Sequence, residues 1–152
     1  MPFHFSLAAV LRLRQNLEER ERLRLQALHA RRAALQCQLD ETRAAMLKLQ
    51  SGNAKRLRAE SLTGAELQFL RLIEDSLEGQ LAKLKQAAER MQQQIAEQAQ
   101  RYRERRQARE ALQSLREARF AEYRIQQQRR EQALLDELYL LRRSRKQAGF
   151  SQ

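Results

Sequence analysis

The sequence predicts an all-α protein: two long helices forming an antiparallel coiled-coil hairpin, the second helix longer and ending in a C-terminal overhang. Three observations carry that prediction. Ala, Glu, Gln, Leu, Arg and Lys dominate the 152 residues, and these are the strong helix formers. Turn residues are scarce: four Gly and a single Pro, Pro2, too few for the many turns of a β or α/β fold. Two of the four Gly, with Ser51, Asn53, Ser61 and Thr63, cluster between 51 and 64. Charged residues make up 32% of the chain and aromatic residues 5%, which suits long helices better than one large core. A hydrophobic fraction of 42% argues against disorder.

The first helix is predicted over about 7–50, extending to 60 if 54–60 is helical. Ser6 has the chemistry of an N-cap for a helix starting at Leu7. From Leu25 a 3-4 series runs Leu25, Leu28, Arg32, Leu35, Leu39, Thr42, Met46, Leu49. Such a stripe is what two helices bury against each other. Upstream the series reads as slipping, since Leu7, Val10, Leu11, Leu13 and Leu17 are not spaced to continue it simply.

Ser51-Gly52-Asn53 and Ser61-Leu62-Thr63-Gly64 mark the turn region, 51–64. Thr63 and Glu66 have capping-box spacing, with the hydroxyl accepting from one backbone N–H and the carboxylate from the other. A second helix is therefore predicted over about 65–146, with Gly149 as terminator. Its seam runs Leu70, Glu74, Leu77, Leu81, Leu84, Ala88, Met91, Ile95, Gln98, Tyr102. The same steps then meet Arg105, Arg109, Leu112 and Arg116, where the seam reads as failing.

The two helices would span about 65–80 Å and about 120 Å at 1.5 Å per residue. Folding at the turn places residue 7 opposite about 111–117 and leaves roughly 30 residues of the second helix without a partner in the same chain. That overhang carries Phe120, Tyr123, Leu134, Leu138 and Leu141. A lone helix is marginal in water, so these apolar side chains point to a partner in trans, a dedicated protein before a second copy.

The net charge of +11 is uneven. Residues 1–50 carry +4, 51–100 carry none and 101–152 carry +7. The terminal end of a hairpin is then a basic pole, which suits an acidic protein surface, nucleic acid or anionic lipid. A single Cys, Cys37, excludes a disulfide framework, and no apolar run approaches the roughly 20 residues of a membrane span. The start lacks the cleavage pattern of a signal peptide, so the expected location is cytoplasmic.

No catalytic constellation emerges. There is no Gly-rich phosphate loop. His4 and His29 are too far apart, and too poor in partners, for metal-ligand spacing. A two-helix hairpin offers no concave pocket. The sequence predicts a non-enzyme without cofactor or metal.

The opening stretch Phe3-His4-Phe5-Ser6-Leu7-Ala8-Ala9-Val10-Leu11-Arg12-Leu13-Arg14, with Glu18 following, resembles the start of the flagellar FliJ family. Arg130-Glu131-Gln132-Ala133-Leu134-Leu135-Asp136-Glu137-Leu138 resembles the family's close, although Ala133 stands where many relatives carry Lys. Leu62-Thr63-Gly64-Ala65-Glu66-Leu67-Gln68 is similar to its inter-helix segment. The resemblance implies an antiparallel coiled coil like the central stalk subunit of rotary ATPases. It implies three partners: the hexameric ATPase of the flagellar type III export apparatus, the membrane export gate, and chaperones of late substrates. It also implies a peripheral place at the cytoplasmic face of the inner membrane. Carried over residue by residue, the ATPase-binding positions are Leu7, Val10, Leu11, Arg14 and Glu18, with Arg130, Glu131, Gln132, Asp136 and Glu137. Two alternatives stand beside this: a basic coiled coil on nucleic acid or ribosomes, and one on anionic membrane. Among Arg101, Arg103, Arg105, Arg106 and Arg109 only Tyr102 interleaves, so base stacking is thin and nucleic acid is not favoured.

Overall fold

The computed structural model describes residues 1–59 and 63–150. Two helices account for nearly all of them: α1, Ala8–Arg58, and α2, Gly64–Gly149. They pack against each other as an all-α helical hairpin, with no strand among the described residues. The chain divides into two compact units, 17–105 and 1–16 with 106–152.

In the 17–105 unit the predicted seam is the buried one. Leu39, Leu70 and Ile95 are buried, and Leu25, Leu28, Leu35, Met46, Leu49, Leu77, Leu81, Leu84 and Met91 are half-buried. Arg32 is the seam position that stays exposed; its long charged side chain keeps its head in water. Ser51-Gly52-Asn53 does not end α1, which continues to Arg58. The reason is local satisfaction of the breakers. Ser51 Oγ donates to the Lys48 carbonyl at 3.3 Å, and Asn53 Nδ2 donates to Glu74 Oε1 at 2.9 Å. The roughly 1 kcal/mol that Gly52 costs relative to Ala is small against a helix of this length. At the start of α2 the capping box forms as predicted: Thr63 N donates to Glu66 Oε2 at 3.2 Å, and Glu66 N to Thr63 Oγ1 at 3.3 Å. Glu60, the far bound predicted for the first helix, and Ser61 and Leu62 of the predicted turn, with Leu62 also opening the inter-helix resemblance, lie outside the described residues.

The seam does not slip upstream of Leu25. Counting back in the same 3-4 steps gives Glu21, Glu18, Arg14, Leu11 and Leu7. Within the first unit Glu21 is 9% exposed and Glu18 is half-buried. Glu21 is held by Gln98, itself 6% exposed. Gln98 Nε2 donates to the Glu21 carbonyl at 3.1 Å and also to Glu21 Oε2. Arg24 Nη1 donates to Glu21 Oε1 at 3.2 Å. A buried polar layer of this kind costs stability but fixes register. On the exposed side of the same stretch, Arg22 donates to both carboxylate oxygens of Glu19, at 2.8 and 2.5 Å. Those hydrogen bonds, with the attraction of the guanidinium, hold the Glu19 carboxyl below its ordinary range.

The unit of 1–16 and 106–152 has its own core. Phe5, Leu11 and Leu112 are buried together, with Phe3, Leu7 and Ala8 packed on them. Leu112 buries where the sequence pattern read as failing, and Arg109 is half-buried beside it in sequence, while Arg105 in the other unit and Arg116 are exposed. The helix begins one residue later than predicted, at Ala8. Ser6 does not cap it; its Oγ accepts from Arg119 Nη1 at 3.4 Å. At the far end α2 stops at Gly149, the predicted terminator.

Candidate partner-binding unit

Both termini belong to the smaller unit, so the candidate site is built there. The first residues, Met1 to Ser6, precede the helix without regular structure, and Phe3 and Phe5 pack against α2. Phe3 meets Phe120 edge-on at 5.2 Å between ring centroids and Tyr123 at 5.5 Å. Phe120 and Tyr123 stack at 6.4 Å. Arg119 lies over the Phe5 ring, its Cζ 5.9 Å from the centroid, a cation–π arrangement. The Tyr123 hydroxyl donates to the Met1 carbonyl, and Arg14 Nη1 donates to the Ala108 carbonyl at 2.8 Å.

This arrangement corrects one expectation. Phe120 and Tyr123 are not free of a partner within the chain, because the aromatic N-terminal segment reaches them. The sequence count started the pairing at residue 7 and gave the segment before the helix no place. Beyond Tyr123 the prediction stands: apart from half-buried Gln127, every residue from 124 to 150 is exposed.

The predicted binding residues then separate. Leu11 is 4% exposed, in contact with Phe5 and Leu112, and holds the unit together. Leu7 and Arg14 are half-buried, Arg14 committed to α2. Val10 is exposed, as are Arg130, Glu131, Gln132, Asp136 and Glu137 on α2. Leu134, Leu138 and Leu141 are exposed with them. Glu18 falls in the other unit and is half-buried.

Nearly the whole chain, residues 3–148, matches the family model described as Flagellar FliJ protein. The chain belongs to the FliJ family. FliJ proteins are non-catalytic components of the flagellar export apparatus. No curated protein and no solved structure matched the chain. Among the described residues of this FliJ-family chain there is no group of metal-ligating side chains and no helix long and apolar enough to cross a membrane.

Three features escaped the sequence reading. Tyr139 and Leu140 are exposed beside Leu138 and Leu141; a seam read in 3-4 steps passes over them. Arg142, Arg143, Arg145 and Lys146 line one open cavity of about 430 Å³ with Tyr139; charge counted in thirds of the chain never isolated this cluster. In the 17–105 unit, Leu47, Phe69 and Leu72 are exposed off the seam, a signal available from their spacing.

Proposed function

We propose that the chain is a stalk-like, non-enzymatic part of the flagellar type III export apparatus. Its terminal unit engages the hexameric export ATPase, and the protein couples that ATPase to the export gate and to recycling of late-substrate chaperones at the cytoplasmic face of the inner membrane. Family membership supports the apparatus. The observation that carries the docking end is α2 beyond Tyr123, where Leu134, Leu138 and Leu141 are exposed together. An apolar stripe left uncovered on a helix is the form in which helices dock into partner grooves. Arg130, Glu131, Gln132, Asp136 and Glu137 supply exposed polar contacts next to that stripe in sequence, and Val10 is an exposed apolar residue of the same unit. The nucleic-acid reading loses its one stacking residue, since Tyr102 is half-buried in the seam.

The test is retrieval of the ATPase from a flagellated source by the intact chain and by a truncation lacking 125–152. This cut leaves Phe120 and Tyr123 in place for Phe3, so the core of the terminal unit survives. Retrieval by the intact chain alone supports the reading. Equal retrieval and equal stimulation of ATP hydrolysis by both sink it.

A further inference from the structure

The last turns of α2 expose more than the Leu134, Leu138 and Leu141 stripe on which the ATPase reading rests: Leu135, Tyr139 and Leu140 widen it, and a run of cations follows. Leu134, Leu135, Leu138, Tyr139, Leu140 and Leu141 are all between 54% and 66% exposed. Immediately after them come Arg142, Arg143, Arg145 and Lys146, which line a single open cavity with Tyr139. No acidic residue follows Glu137 in the sequence, and these four cations make no ion pair among the described residues.

The angular spacing decides what kind of surface fits. At about 100° per residue, Leu134, Leu135, Leu138, Tyr139 and Leu141 fall within an arc of about 160°. A coiled-coil seam is a narrower stripe, so a single partner helix would leave Leu135 and Tyr139 in water. A flat interface takes the whole arc. Arg142, Arg145 and Lys146 project into that same arc one turn further on, whereas Asp136, Glu137 and Leu140 lie outside it. Cations with long alkyl stems flanking an apolar arc reach anionic headgroups while their stems stay on apolar surface. A second copy of the chain is the poorer occupant, because residues 124–150 carry seven cations against three carboxylates and would repel their like.

We propose that residues 134–150 form an interfacial anchor that binds anionic phospholipid directly, Leu134, Leu135, Leu138, Tyr139 and Leu141 lying at the acyl boundary and Arg142, Arg145 and Lys146 at the headgroups. The lipid contact rests on the export-apparatus reading only for which membrane the protein meets.

The experiment uses the full chain and vesicles of phosphatidylcholine alone or with phosphatidylglycerol. The chain has no tryptophan, so Tyr139→Trp gives a single emitter inside the arc. The expected result is co-sedimentation with phosphatidylglycerol vesicles only, reduced by salt, with a blue-shifted emission. Each cation near the surface is worth about fivefold in partitioning, so Arg142→Gln with Arg145→Gln lowers binding on the order of 25-fold. Leu138→Ser with Leu141→Ser removes the blue shift. Circular dichroism on each variant checks that the helices persist. Equal binding to neutral vesicles, parental binding by the charge variant, or a blue shift produced by RNA and not by vesicles overturns the proposal. No ATPase is present in the assay, so a negative result leaves the docking reading untouched.

Discussion

Replacing Gln98 by Ala should destabilise the chain by about 2–4 kcal/mol. The side chain is 6% exposed and makes two hydrogen bonds, one to a backbone carbonyl and one to a carboxylate. A neutral hydrogen bond contributes about 1 kcal/mol and one to a charged group about 1.5–3 kcal/mol. Loss of Gln98 also leaves Glu21 buried with only Arg24 to compensate it. At about 2–4 °C per kcal/mol for a protein of this size, the melting point falls on the order of 10 °C, read by circular dichroism at constant protein concentration. The double variant Glu21→Leu with Gln98→Leu must behave differently. Replacing a buried polar pair by apolar side chains is often neutral or stabilising by about 1–4 kcal/mol, so the double variant should melt at or above the parent. A Gln98→Ala variant within about 0.5 kcal/mol of the parent, or a double-leucine variant less stable than it, would refute the account of this layer.

Phe5→Ala should cost about 3 kcal/mol, the low end for a buried aromatic; faster proteolysis of the first residues checks it. Thr63→Ala should cost about 1 kcal/mol through loss of the capping box, measured by denaturant unfolding, with Thr63→Ser restoring it. Arg22→Gln should raise the Glu19 pKa, because the Arg22 hydrogen bond is the main cause of its lowering; carboxyl-carbon NMR titration reads the direction. The stabilisation from that pair is present above the ordinary carboxylate range and is lost as pH falls through the lowered folded value, and full exposure keeps it small.

The helices and most of the seam were legible in the sequence because apolar spacing and burial coincide there. Leu25 to Leu49 and Leu70 to Tyr102 follow the 3-4 steps, and position after position is buried or half-buried. Legibility failed where the seam is polar. Arg14, Glu18 and Glu21 occupy seam positions without being apolar, so the series looked broken although Leu7 and Leu11 continue it. Burial belongs to the position, and a polar side chain keeps it when a carbonyl or amide across the seam satisfies it, as Ala108 does for Arg14 and Gln98 for Glu21. Ser51-Gly52-Asn53 misled for the same reason: its polar groups found partners inside the helical arrangement. At the candidate site the exposed carboxylates and leucines of α2 were visible as a pattern. The aromatic anchor was not, since Phe3 lies outside any helix and periodicity has no reading for it.

That anchor sets how much of α2 remains uncovered. A heptad seam tolerates slips of seven residues, because each slip returns similar positions to the interface. In the terminal unit a slip is not neutral. Phe3 meets Phe120 and Tyr123 in the observed register; seven residues earlier the same positions are Gln113 and Arg116, and seven later Gln127 and Arg130. Aromatic pairs contribute about 0.5–1.5 kcal/mol each beyond area, and either slip loses both Phe3 pairs and sets a guanidinium in place of Tyr123. The Arg119 contacts to Phe5 and Ser6 are lost with them. Two aromatic contacts therefore do more than fill a small core. They fix where coverage of α2 ends, immediately after Tyr123, and so which leucines and arginines are left to meet a partner or a membrane.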